Sequence, residues 1–199
     1  MYTYKVEQAI QAAAILHQDH VRQGEISIPY ISHLMSVVLI LRDYTKDEDV
    51  LVAAILHDTL EDTDYTEAEL RQDFGDTVGD IVVALTEPTH DGEDKLAWKE
   101  KKGRYAKQLK KGPEAAVLIA AADKAHNFRS IVDQYYEDHD GFLRDFGKIG
   151  KDRLDAYQGI SNVINSRLKG GIVHEFNHTF NLYKEFLHDV ESAQHYKAQ

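Results

Sequence analysis

Apolar residues recur along most of this sequence at the three- and four-residue spacing of an amphipathic helix. Only three prolines interrupt the pattern, and no stretch shows the alternation of a convincing strand. A capping box over Thr66–Glu69 should start a short helix that ends near Gly75. The pair Gly112-Pro113 should end one helix and begin the next. The sequence therefore predicts an all-α fold with a compact arrangement of many helices.

The expected helices share this period and cover residues 3–22, 32–44, 46 through a motif near 57–63, 67–74, 78–85, 99–111, 114–132, 151–169 and 174 onward. A chain of 199 residues with 43% hydrophobic residues is long enough to bury a sizeable core. We expect one domain over residues 1–199, with its core at about 9–146 and the C-terminal helices, 151–199, packed on it.

Composition excludes several classes of function. There is no cysteine, so disulfides and thiolate metal ligands are excluded, and any metal must be bound by histidine, carboxylate or water. A formal net charge of −11 argues against nucleic acid as a partner. No apolar run is long enough to span a membrane, and the N-terminal residues lack the pattern of a signal peptide. We therefore expect a soluble, cytoplasmic protein.

The stretch LHDTLEDT, residues 56–63, places one histidine and three carboxylates directly after the apolar run VLVAAIL. If it continues the third helix, His57 shares a face with Glu61 and Asp58 shares a face with Asp62, because residues four apart are neighbours. Carboxylates crowded in this way repel each other unless a cation or a proton compensates them. The pattern indicates a binding site for a cation.

Two other helices carry polar residues beside apolar runs. Asp123, Lys124 and Asn127 follow VLIAAA, and pairing of the carboxylate with a neighbouring cation is the structural alternative. His33 lies in PYISHLMSVVLIL, where a hydrogen-bonded core histidine is the alternative. With the motif above, these helices supply two histidines and two carboxylates: His33, His57, Asp58 and Asp123. Such a set suits Mn²⁺, with Fe²⁺, Zn²⁺ and Mg²⁺ as alternatives.

The order H…HD…D, with LHDTLEDT and AADKAHNFRS around its later members, resembles the HD-domain phosphohydrolases. Among them, it is most similar to the RelA/SpoT-type hydrolases of guanosine tetra- and pentaphosphate, including the small stand-alone forms. The likeness runs from about Ala9 to Phe146, through TEAELRQDFGDTVGDIVVALTE and WKEKKGRYAKQL. It implies an HD-domain fold and metal-dependent removal of the 3′-pyrophosphate, giving GDP or GTP and pyrophosphate.

The resemblance also implies roles for single residues. The two histidines and two carboxylates would together hold one Mn²⁺. Glu61 and Asp62 would orient or activate the attacking water, which agrees with the ability of a nearby carboxylate to accept a proton. Asn127 would contact the ribose or a nearby phosphate. Arg22 resembles an arginine near the guanine base, with an ordinary helix-end arginine as the alternative.

The phosphoryl group needs cations that stabilise charge on its oxygens. Lys101, Lys102 and Lys124 are the candidates, although a solvated helix face is the alternative for the basic segment that contains the first two. The expected partner is thus a small phosphorylated nucleotide. Two other functions stay open: hydrolysis of a different nucleotide by an HD-type enzyme, and nucleotide binding without cleavage by a metal-bearing regulatory module.

Some features depart from the family pattern or compete with it. Leu34 stands where the family usually has proline, Ala125 replaces a commoner leucine, and the loop between Arg22 and Tyr30 is irregular. The likeness fades after Phe146, so the last helices are assigned either to a homo-oligomer interface or to the pocket rim.

The segment HEFNH, residues 174–178, matches the zinc-protease signature H-E-x-x-H literally. No third ligand follows at a known spacing, and the nearest candidates are Glu185, Glu191 and His195. We expect its histidines at the surface or at an interface. His17 and His20, three apart on the first helix, are expected to belong to the scaffold or the pocket wall.

Overall fold

The computed structural model describes residues 2–22, 27–92, 94–137 and 151–197, and it confirms the predicted all-α fold. Its helices are α1 (Tyr4–Leu16), α2 (Ile31–Leu41), α3 (Glu48–Ile55), α4 (Thr59–Asp62), α5 (Glu67–Phe74), α6 (Asp76–Leu85), α7 (Trp98–Lys111), α8 (Glu114–Glu137), α9 (Lys151–Arg167) and α10 (Gly171–Lys197). None of the helices in these ranges is long and apolar enough to cross a bilayer.

Helix α8 lies at the centre of the fold and packs against α2, α6, α9 and α10. Its first half is lined by small residues, and Ala120, Ala121 and Ala122 are fully buried. Small side chains let several helices approach one helix closely, which is how an alanine-rich segment can serve as a core. Residues of α8 therefore face several neighbouring helices at once.

The last helix joins this core through aromatic residues. The Phe128 ring of α8 lies 4.6 Å from the ring of Tyr183 and 5.3 Å from that of Phe180, both on α10. Phe176 and Phe186 of α10 are also fully buried. Aromatic pairs at such distances contribute packing energy beyond the area they bury. This packing gives a reason for the aromatic content of the C-terminal segment.

Several predicted boundaries are confirmed. Both hydrogen bonds of the capping box between Thr66 and Glu69 are present, and the following helix ends at Gly75, whose φ is 89°. The break at Gly112-Pro113 separates α7 from α8. The first helix is shorter than predicted, because the chain turns after Leu16 and returns so that the N–H of Tyr30 donates to His20 O at 2.9 Å.

The prediction that the third helix continues through the His57 motif is wrong. Helix α3 ends at Ile55, and a turn over residues 56–58 precedes α4. Side chains compete here for helical carbonyls: His57 Nδ1 lies 2.8 Å from Ala54 O, and Thr59 Oγ1 donates to Leu56 O at 2.7 Å. Such local bonds offer the backbone an alternative to the helix.

The described residues also include one short pair of strands, in a segment where the sequence shows no convincing strand. His90–Asp91 (β1) and Asp94–Lys95 (β2) pair as a two-stranded antiparallel ribbon, with His90 opposite Lys95. Gly92 adopts a φ of 62° at its turn. Strands of two residues are too short to show an alternating pattern, so pattern analysis could not predict them.

Candidate active site

Four side chains from three parts of the fold meet between α2, α3 and α8. Nε2 of His33 lies 3.2 Å from Asp123 Oδ1 and 3.8 Å from Asp58 Oδ2. Nε2 of His57 lies 3.1 Å from Asp58 Oδ2 and 3.8 Å from Asp123 Oδ1. One ligand atom each from His33, His57 and Asp58 lies within 4.8 Å of the other two. His33, His57 and Asp58 are therefore close enough to share one ion, and Asp123 Oδ1 lies beside the two histidines.

The donor atoms fit a divalent cation. Nε2 of His33 and Nε2 of His57 are buried, and although each lies near a carboxylate oxygen, neither makes a hydrogen bond of good geometry to any described residue. A buried nitrogen without a partner costs free energy. His57 Nδ1 already faces the carbonyl of Ala54, which leaves Nε2 to present its lone pair, as in metal-ligating histidines. This cluster of histidine and aspartate can hold a metal ion.

The charges of this cluster are mutually balanced. Burial lowers the pKa of His57, but the carboxylates of Asp58 and Asp123 outweigh it and hold that pKa well above its ordinary value. Burial raises the pKa of Asp123, but Lys124 and the two histidines lower it by more. The pKa of Asp123 therefore lies well below its ordinary value. A bound cation would therefore replace a proton on His57.

The two carboxylates of α4 have different surroundings. Glu61 accepts a hydrogen bond from Lys101 Nζ at 2.6 Å and one from the backbone N–H of Glu87 at 3.3 Å. Asp62 has a pKa raised to about 6, first by burial and then by the charges of Asp58 and Glu61. A carboxyl group that titrates near neutral pH is suited to accepting and returning a proton.

The structure pairs Lys124 with Asp123, the alternative considered from the sequence. Its ammonium group donates to Asp123 Oδ2 at 2.8 Å and lies 5.7 Å from the ring centre of Tyr105. This leaves Asp123 Oδ1 to face the histidines. Asn127 donates to the same Oδ1 at 2.6 Å and accepts from Arg22 Nη2 at 3.1 Å. Arg22 and Asn127 thus adjoin the ligand cluster directly.

Lys101 and Lys102 of α7 also reach the site, and they meet a carboxylate that sequence analysis missed. Glu87 is buried, pairs with Lys102 and lies 3.6 Å from Lys101 Nζ. Burial and the charge of Lys124 lower the pKa of Lys102. Glu87 could have been found, because it follows an apolar helix directly, as Asp123 follows VLIAAA.

Two further contacts to the ligands were missed. The Tyr30 hydroxyl donates to Asp58 Oδ2 at 2.6 Å. His126 Nδ1 lies 2.9 Å from His33 Nδ1. His126 lies within the segment AADKAHNFRS, and Tyr30 lies three residues before His33, but neither has a spacing that identifies a partner. Both contacts join segments that are far apart in sequence.

The other histidines singled out in the sequence do not belong to the cluster of predicted ligands. His174 and His178 are exposed on α10, and within the described ranges the group of three or more potential metal ligands is formed by His33, His57 and Asp58. The side chain of His195, the segment with Phe146 and part of the loop after Arg22 lie outside the described residues. His17 is buried and stacks on Tyr30 with ring centres 5.1 Å apart, which agrees with its expected place beside the pocket.

This chain is similar to known proteins in both sequence and structure. A family model described as HD domain matches residues 9–149. The bifunctional (p)ppGpp synthase/hydrolase SpoT of Escherichia coli K12 is 34% identical over 134 residues, covering 64% of this chain and 18% of the relative. A GTP pyrophosphokinase of Streptomyces antibioticus is 35% identical over 127 residues, covering 64% and 15%. The chain thus spans less than a fifth of the length of these relatives.

Two solved structures are similar over most of their length. One is a metazoan ortholog of SpoT that hydrolyzes ppGpp, with a TM-score of 0.73, 25% identity, and coverage of 91% of this chain and 96% of that one. The other, a crystal structure of a protein from Listeria monocytogenes, has a TM-score of 0.63, 32% identity, and coverage of 80% and 96%.

Proposed function

Because this chain belongs to the HD domain family, we propose that it is a metal-dependent phosphohydrolase acting on guanosine tetra- or pentaphosphate. It would remove the 3′-pyrophosphate and release GDP or GTP together with pyrophosphate. The observation that carries this proposal is the buried pair of Nε2 atoms, from His33 and His57, facing the carboxylates of Asp58 and Asp123. Two more carboxylates, Glu61 and Asp62, follow one turn beyond them.

The relatives support hydrolysis over synthesis. Their names include both (p)ppGpp hydrolases and GTP pyrophosphokinases, and the chain matches only a small part of each. The metazoan relative, by contrast, aligns over 96% of its own chain and hydrolyzes ppGpp. A protein of similar extent and fold therefore hydrolyzes ppGpp.

We propose Mn²⁺ as the metal, because two imidazoles and two carboxylates form a mixed nitrogen and oxygen donor set. When bound, such an ion lowers the pKa of water and stabilises charge on phosphoryl oxygens. The ligands would be His33, His57, Asp58 and Asp123. Lys124 neutralises the second oxygen of Asp123, so that Oδ1 is the oxygen presented to the histidines. Because nothing in the composition requires an oxidising compartment, we place this activity in the cytoplasm.

Two carboxylates of α4 would orient the attacking water and accept its proton. Glu61, fixed by Lys101 and by the backbone of Glu87, orients the water through its carboxylate oxygens. Asp62 takes the proton from that water onto a carboxylate oxygen, for which a pKa of about 6 is well placed. Lys101 and Lys102 lie on the same side and supply positive charge for the phosphate oxygens. Arg22 and Asn127 would contact the nucleoside part.

Pyrophosphate release from guanosine tetraphosphate in the presence of Mn²⁺ tests this proposal. The purified protein is compared with an Asp58→Ala variant and with a panel of ordinary nucleotides. We expect release from the alarmone that requires the metal and is lost in the variant. Cleavage of another nucleotide alone would assign the protein to a different HD-type hydrolase. Binding of guanosine tetraphosphate with no turnover of any nucleotide would favour the regulatory module.

A further inference from the structure

His126 is the residue of the AADKAHNFRS segment that the proposed chemistry leaves without a role. Asp123 is a ligand, Lys124 balances its charge, and Asn127 bonds to its oxygen. His126 follows Asp123 by three residues on α8 and faces the other side of His33. The Nδ1 atoms of His126 and His33 are 2.9 Å apart, and their ring centres are 4.9 Å apart.

Hydrogen-bond chemistry fixes the direction of this contact. His33 directs Nε2 at Asp123 and Asp58, so a metal ligand at Nε2 must carry its proton on Nδ1. That proton points at His126 Nδ1, which can only accept it if His126 is neutral and carries its own proton on Nε2. His57 shows the corresponding arrangement with a backbone acceptor, the carbonyl of Ala54.

We infer that His126 is a positioning residue for the metal centre, which fixes the tautomer and the ring orientation of His33 by accepting a hydrogen bond from its Nδ1. The inference rests on the metal site of the proposed function but not on its substrate. Because Asp123 and His126 lie on one helix, α8 supplies a ligand and also orients a ligand from α2. Partners of this kind strengthen metal binding by about 10–100-fold in known sites.

A pair of variants tests the inference through metal affinity. His126→Leu removes the acceptor, whereas His126→Asn keeps an oxygen near the position of Nδ1. We expect Mn²⁺ affinity, measured from the free-ion signal in electron paramagnetic resonance titrations, to fall about 10–100-fold in His126→Leu. His126→Asn should stay within about threefold of the wild-type protein, since its acceptor is retained. Circular dichroism spectra recorded in EDTA verify that both variants fold.

Wild-type affinity in folded His126→Leu would overturn the inference, as would equal weakening in both folded variants. If His126→Leu does not fold, nitrogen-15 spectra of the wild-type protein loaded with Zn²⁺ decide the question. They should show a proton on His33 Nδ1 and none on His126 Nδ1, and the reverse assignment would contradict the inference. Failure of the proposed function has a separate sign, since a wild-type protein that binds Mn²⁺ but cleaves no alarmone leaves these results unaffected.

Discussion

At the scale of single residues, Asp62 offers a direct measurement. Burial and its acidic neighbours raise its pKa to about 6 in the metal-free protein. Below the ordinary value near 4, folded and unfolded chains both hold the proton, and between the two values only the folded chain keeps it. The stability that this proton contributes is therefore present at low pH and lost as the pH rises through about 6.

We accordingly expect Asp62→Asn to gain thermal stability relative to the wild-type protein as the pH is raised from about 4 to about 7. Melting temperatures in EDTA across this range give the comparison, and NMR titration of the carboxyl carbon gives the pKa directly. A pKa of Asp62 near the ordinary value would show that burial and the acidic neighbours do not raise it. The assignment of Asp62 as proton acceptor would then lose its support.

The pairing of the buried Glu87 with Lys102 leads to a second prediction, on protein stability. Glu87→Ala leaves the largely buried ammonium of Lys102 without its partner, and breaking a buried pair costs about 3–5 kcal/mol. Urea unfolding should show this loss, while Glu100→Ala, which removes an exposed partner of Arg104, should change stability by less than about 1 kcal/mol. Adding Lys102→Met to Glu87→Ala should restore part of the stability. No recovery would mean that the charge of Lys102 is not the cause.

Some residues of the candidate site could be predicted from the sequence, and others could not. His57, Asp58 and Asp123 stood out because charge beside an apolar run needs compensation, and His33 was added because it completes a set of two histidines and two carboxylates. Tyr30 and His126 did not, because neither has a spacing that identifies its partner, which lies on a distant segment of the chain. The sequence shows which residues carry charge, but it does not show which side chains from distant segments meet.

At the scale of elements, the turn between α3 and α4 decides how His57 and Asp58 are presented. The helical period continues through this segment, so pattern alone could not reveal the break. The break coincides with side-chain contacts to two carbonyls, which offer the backbone an alternative to the helix. The sequence singled out this motif but assigned its backbone the wrong conformation.

We expect Thr59→Val to weaken both stability and metal binding. The substitution keeps the shape but removes the bond from Thr59 Oγ1 to Leu56 O, to which the N–H of Thr59 still donates at 3.0 Å, so the cost should be about 0.5–1.5 kcal/mol. Thr86→Val is the matched control, because Thr86 Oγ1 donates to Val82 O at the end of α6, away from the ligands. Isothermal titration with Mn²⁺ should show reduced affinity only in Thr59→Val. Equal affinities would mean that the turn keeps its form without this bond.

At the scale of the whole molecule, we propose that the C-terminal helices and the ligand-bearing helices form one cooperative unit. Phe180 of α10 packs on Phe128, five residues beyond Asp123 on α8. Phe180→Ala should lower the free energy of unfolding by about 3–5 kcal/mol and leave a single unfolding transition. His178→Ala, an exposed change on the same helix, should alter neither stability nor Mn²⁺ affinity. Two separate calorimetric transitions would instead indicate two domains.

The contacts of the central helix α8 restrict where the sequence of this chain can gain or lose residues. Between Asp123 and Phe128, α8 carries a proposed metal ligand, the partner of a second proposed ligand, a contact to Arg22 and the aromatic anchor of α10. One inserted or deleted residue in this segment would rotate everything after it by about 100° around the helix axis. A substitution would disturb one of these contacts, but a change in length would separate them all at once. Related sequences should therefore tolerate insertions in the loops around α8 and keep the number of residues in this segment constant.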